Sequence, residues 1–217
     1  MSQLKTKVWD SYTRIYHLSQ LVLLALLWYS AEEGDFENHF LYGFILLGLV
    51  FSRIVWGVIG SQNSRFVEFI KMPWQLPSLY RKKQLFVKES GHAPMAGYMV
   101  LALLLSLIVQ LTSGLFTTDD VLAEGPLMYS VSEELAYWFD EIHSLNFDIL
   151  LILIGLHIFA AVVHLALKHK VIFSIFTGTS VVSSDVKRYW RASYIGILIW
   201  LISSGLAYYF LFDQASF

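Results

Sequence analysis

Apolar residues in this chain gather into five long runs, at about 15–31, 39–59, 94–116, 142–167 and 194–212, separated by polar and charged stretches. Each run is close to the ~20 residues that a helix needs to cross a bilayer. The pattern predicts an all-α integral membrane protein of five spans, with a lipid bilayer as its surroundings and no nucleic-acid partner. The first run contains Arg14, Tyr16, His17 and Gln20 and lacks a small-residue cleavage site, so it is expected to stay in the mature protein rather than act as a signal peptide.

Composition agrees, because 56% hydrophobic and 15% charged residues leave too little polar surface for an ordinary soluble domain. The charges add an orientation. With five spans, all fifteen Lys and Arg fall on one side: Lys5, Lys7 and Arg14, then the cluster from Arg53 to Lys88, then those from Lys168 to Arg191. The positive-inside rule makes that side the cytoplasm, with the N-terminus inside and the C-terminus in the periplasm of a bacterial inner membrane. The opposite loops carry only acids, Glu32, Glu33, Asp35 and Glu37 in one and Asp119 to Glu141 in the other. The loop after the second run contains KMPWQLPSLYRKK, whose two prolines favour short broken segments over another span.

The absence of cysteine excludes covalent haem attachment, iron–sulfur clusters and thiolate ligands on this chain. Histidines stand in the spans instead, and ionisable residues at membrane depth mark functional sites. His143 and His157 are 14 residues apart, which at ~100° per residue places both on one helix face and ~21 Å apart along the axis. Depth pairs His39 with His143 near the outer face and His17 with His157 toward the inner one. Two levels of two histidines suit bis-histidine haem, whereas zinc or copper would gather three or four ligands at one depth. His164, seven residues past His157, would bring two macrocycles within ~10 Å and is read as a group near the haem edge. Arg53 lies 14 residues after His39 and Arg14 one turn before His17, so both are candidates to pair with haem propionates. Gly43, Gly114 and Gly155 would let a macrocycle or a helix approach.

These stretches resemble the prokaryotic cytochrome b561 group, which includes b-type cytochrome subunits of nickel–iron hydrogenases and, more distantly, formate dehydrogenase gamma subunits. The likeness runs from about Val8 to Gly178. It rests on VWDSYTRIYH, on HFLYGFILLGLVFSRIVWGVIGSQNSRF, on GHAPMAG and on the H-x13-H spacing of the fourth run. The resemblance implies a four-helix bundle around two haem b groups, with His17 and His157 as ligands of the cytoplasmic haem and His39 and His143 of the periplasmic one. The di-haem domain is expected over 1–178, and 179–217 is read as a cytoplasmic connector and a fifth transmembrane helix, a departure from the four-helix members that is expected to pack or dock a partner outside the haem bundle. It also implies an electron-transfer subunit between a periplasmic partner, a c-type cytochrome or an oxidoreductase subunit, and membrane quinone. Relatives often read GHNP before the third span, and an asparagine near there contacts quinone in the formate dehydrogenase relatives. Ala93 stands at that place here, which leaves His92 to contact quinone or a propionate.

Two other readings use the same residues. In a small transporter or proton channel the histidines would form a relay across the membrane, and in a structural anchor for a periplasmic enzyme they would have no redox part. Both predict a colourless protein.

Overall fold

A computed structural model describes residues 4–81, 93–118, 123–167, 171–182 and 188–215. Strand β1 (Leu4–Lys7) leads into helix α1 (Ser11–Glu32), which begins where the Asp10 side chain accepts from the Thr13 backbone N–H at 2.7 Å. This N-cap satisfies one of the donors that a helix start leaves open. The turn to α2 (Phe36–Ile59) passes through Gly34 at φ +68°, a left-handed conformation that glycine adopts without strain, and Asp35 caps the new helix through Asn38 N–H. So short a turn makes α1 and α2 an antiparallel pair.

The proline-containing loop folds as anticipated into short pieces, α3 (Phe66–Phe69) and α4 (Leu76–Arg81), with a 3-10 turn at Pro73–Gln75 between them. Helix α5 (Pro94–Gly114) opens on a proline, whose missing N–H is no loss at that position. Helix α6 (Glu133–Ala166) starts at a Ser132 cap, well before the apolar run begins at residue 142. At ~1.5 Å per residue, its 34 residues span ~51 Å, longer than a ~30 Å hydrocarbon layer. After α7 (Val171–Thr177), strand β2 (Thr179–Val182) pairs antiparallel with β1, Leu4 opposite Val182 and Lys7 opposite Thr179. Helix α8 (Ser193–Leu211) follows. The sheet was not anticipated, since four residues carry too little periodicity to announce a strand.

Four helices, α2, α5, α6 and α8, are long and apolar enough to cross a membrane. Of the five expected runs, the one in α1 lies outside this set. Helix α1 has the length, at 22 residues, but its first turns carry Ser11, Thr13, Arg14, His17, Ser19 and Gln20, and it falls short in apolarity.

The packing divides into α1, α2 and α8 on one side and the α5–α6 pair on the other, joined where α2 meets α5. Tyr12, Tyr16, Leu23, Leu46, Leu49, Trp56, Leu104, Leu107 and Leu150 form the buried core between them. Helix α8 crosses α2 at Gly48, where an added Cβ would lie 2.5 Å from the Ser204 backbone nitrogen, so the contact requires glycine. Hydrogen bonds hold the crossing: Trp200 Nε1 to the Ile45 carbonyl at 3.1 Å, and Ser203 Oγ to the Gly48 carbonyl at 3.0 Å. Helix α8 therefore acts as a buttress on α2. In α6 only Ala136, Asn146 and Leu150 are buried. The end of the bundle at Gly34 is here called the turn end, and the end at β1 and β2 the sheet end.

Candidate functional site: two histidine pairs

At the sheet end α1 and α6 bring His17 and His157 together, with ring centres 6.4 Å apart and planes inclined by 49°. Two imidazoles that bind one metal ion from opposite sides, at ~2.0 Å per metal–nitrogen bond and ~1.1 Å from nitrogen to ring centre, stand about 6.2 Å apart. The pair thus has room for a single ion between the rings. His17 Nδ1 is buried and has no hydrogen-bond partner, an arrangement that costs free energy in an apolar interior unless something else engages the ring.

At the turn end His39 of α2 and His143 of α6 lie within electrostatic reach of each other. His39 Nδ1 sits 3.0 Å from the Leu27 carbonyl and 3.3 Å from Ser30 Oγ, and His143 Nδ1 sits 3.0 Å from the Gln110 carbonyl and 3.2 Å from Ser113 Oγ. A carbonyl only accepts, so both Nδ1 atoms carry the proton and both Nε2 atoms keep the lone pair that a metal needs. Gly114 makes the space for His143, because a Cβ there would lie 2.8 Å from the ring's Cε1. Gly43, one turn past His39, has no atom within 4 Å of an added Cβ and so leaves a flat group free access to that face. Gly155 is equally open, but it is exposed and, two residues before His157, lies on the far side of the helix from it.

Polar groups between the helices hold these rings in place. Asn146, one turn after His143, donates to the Ser106 carbonyl at 3.0 Å and to Gln110 Oε1 at 2.6 Å, and accepts from Ser106 Oγ at 3.1 Å. At the sheet end the Asp10 carboxylate also accepts from Trp56 Nε1 at 3.2 Å and from Ser64 Oγ at 2.9 Å. Arg53, 3% exposed, donates to the Ser64 carbonyl at 3.2 Å and lies over the rings of Phe66 and Tyr16. Arg14 holds the carbonyls of Ile175 and Phe176 at the end of α7. His164 is half-buried two turns beyond His157, and His92 lies outside the described residues.

The structure thus juxtaposes the two pairs that depth suggested. Among the described residues no three or more His, Cys, Asp or Glu gather as for a metal site of higher protein coordination. Reading the sequence missed Ser30, Gln110, Ser113 and Asn146, although polar residues inside apolar runs were a signal that could have singled them out.

No curated protein and no solved structure matches the chain. The family model of prokaryotic cytochrome b561 matches residues 8–178, through both histidine pairs. Members of that family bind haem b, typically two groups, consistent with the space between the opposed rings. With this match over most of its length, and with four apolar helices, the chain belongs to the prokaryotic cytochrome b561 family, membrane b-type cytochromes of electron transfer.

Proposed function

We propose that this protein is a di-haem cytochrome b subunit that carries electrons between a periplasmic redox partner and membrane quinone. The observation that carries this reading is the opposition of His17 and His157 at 6.4 Å, in a chain of a haem-binding family. His17 and His157 would hold the haem at the sheet end, and His39 and His143 the one at the turn end. When bound, each haem would supply one reversible one-electron centre, and a pair of histidines on each would suit electron transfer rather than oxygen binding. The chain's own contribution is to hold the imidazoles at two depths, ~21 Å apart along α6, and to keep water from them. That separation also weighs against a continuous histidine relay for protons.

Arg53 is suited to a haem propionate, since among the described residues its buried guanidinium makes a single hydrogen bond, to the Ser64 carbonyl. Arg14 has Nε and Nη2 engaged with α7, which leaves Nη1 for such a contact. His164 would stand near the edge of the sheet-end haem and His92 near quinone. Helix α1 would complete the bundle as a fifth span, despite its polar first half. This puts the sheet end and the N-terminus in the cytoplasm and the turn end and C-terminus in the periplasm of a bacterial inner membrane. Residues 1–178 would form the haem domain and 179–217 the connector and α8, which steadies α2. The acidic turn-end loops would steer a basic docking face, such as that of a c-type cytochrome or an oxidoreductase subunit.

Haem content tests the proposal. Purified protein should carry two haem b per chain by its reduced pyridine spectrum, and acid acetone should extract both because no cysteine tethers them. One haem or none per chain would refute it.

A further inference from the structure

The two histidine pairs are alike in spacing but not in what holds the rings. At the turn end the same device occurs twice. In the stretch LWYS of α1 and the stretch QLTS of α5, the first residue offers its carbonyl and the serine three positions later offers its hydroxyl to a histidine Nδ1 of the following helix. Each serine also donates back to that carbonyl at 3.1 Å, and each is 2% exposed. At the sheet end there is no counterpart. His17 Nδ1 is buried without a partner, and among the described residues neither His17 nor His157 makes a hydrogen bond.

We propose that Ser30 and Ser113, with the carbonyls of Leu27 and Gln110, are positioning residues that hold the turn-end haem centre at a lower reduction potential than the sheet-end centre. This ordering rests on the two-haem reading above. An imidazole that donates its Nδ1–H gives more electron density through Nε2, which favours ferric over ferrous iron. Both turn-end ligands are so placed, and neither sheet-end ligand is.

Fixed charge acts in the same direction. The turn-end loops carry Glu32, Glu33, Asp35 and Glu37 and no Lys or Arg, so their field stabilises the ferric state. The sheet end holds the buried cation of Arg53, offset in part by Asp10 in the same polar cluster. With both haems bound, a single electron would therefore rest at the sheet end, gained there as it is lost at the turn end, with no proton required to move. The bundle is thus biased to pass electrons from the turn end to the sheet end.

Anaerobic potentiometric titration of the purified haem protein, followed in the visible bands, reads this ordering. Wild type should titrate in two waves. His39→Ala should remove the lower wave and His157→Ala the upper one. Ser30→Ala and Ser113→Ala should each move the lower wave upward and leave the upper wave in place, and Ser→Thr, which keeps the hydroxyl, should return it. Loss of the upper wave in His39→Ala would overturn the ordering, whatever the serine variants do. Serine variants that shift neither wave, or both alike, would overturn the assignment to Ser30 and Ser113. Fewer than two haems per chain would refute the haem reading and this inference together, whereas two haems in the reverse order would refute this inference alone.

Discussion

The turn end and the sheet end of the bundle solve one problem, holding two imidazoles in a fixed relation, by opposite means. At the turn end the rings are clamped and the helices need no further lock, because α1 and α2 are joined there by a three-residue turn from Glu33 to Asp35. At the sheet end the chain leaves α1 and α2 in different directions, and a buried polar network closes the gap. Asp10 ties the start of α1 to Trp56 near the end of α2 and to Ser64 in the loop beyond, and Tyr12 meets Ser52 at 2.6 Å and Thr13 meets Ser64 at 2.7 Å. There the hydrogen bonds lie in the framework, and His17 Nδ1 is buried without a partner. A buried polar group is stable only when paired, so each such group reports what its neighbourhood must hold in place.

Substituting the four histidines proposed as ligands should break this comparison most completely. His39→Ala or His143→Ala should abolish the turn-end haem, and His17→Ala or His157→Ala the sheet-end haem, each leaving one low-spin signal in paramagnetic resonance. Loss of both haems in every variant would mean that the two ends are not separable.

A smaller and one-sided effect is expected from Gly114→Ala. Its Cβ would lie 2.8 Å from His143 Cε1 and 3.1 Å from Nδ1, so the ring must move away from its clamp. The turn-end resonance signal should shift or broaden while that of the sheet end stays unchanged. An unaltered spectrum would show that the clamp tolerates displacement.

The framework at the other end is probed by Asp10→Ala, which removes the α1 cap and the acceptor of Trp56 and Ser64. A destabilisation of about 2–4 kcal/mol is expected from the lost cap and the unpaired buried donors. Thermal unfolding in detergent should show it, with loss of the sheet-end haem first. Earlier loss of the turn-end haem would contradict the division of labour. The smallest effect belongs to the histidines outside the pairs: His164→Ala and His92→Ala should both retain two haems, and His92→Ala should slow quinone exchange. A haem lost on His164→Ala and kept on His157→Ala would move the sheet-end centre about two turns along α6.

The sequence by itself determined the class of the protein, its long helices and the histidines that could meet. Bilayer thickness imposes a length on apolar runs, and the helical repeat places residues 14 apart on one face, so both features survive in a one-dimensional string. His17, His39, His143 and His157 were legible for that reason. What the tertiary structure alone decided is everything that depends on a partner in another helix. The carbonyls of Leu27 and Gln110 have no side-chain signature, and whether a serine in an apolar run back-bonds to its own helix or faces a neighbouring histidine is invisible until the helices are packed. The same holds for Gly48, whose lack of a side chain acquires meaning only from the backbone of Ser204 lying against it. The β1–β2 pair likewise exists because the fold brings together two four-residue segments more than 170 residues apart in the chain, a non-local pairing that neither segment can announce alone.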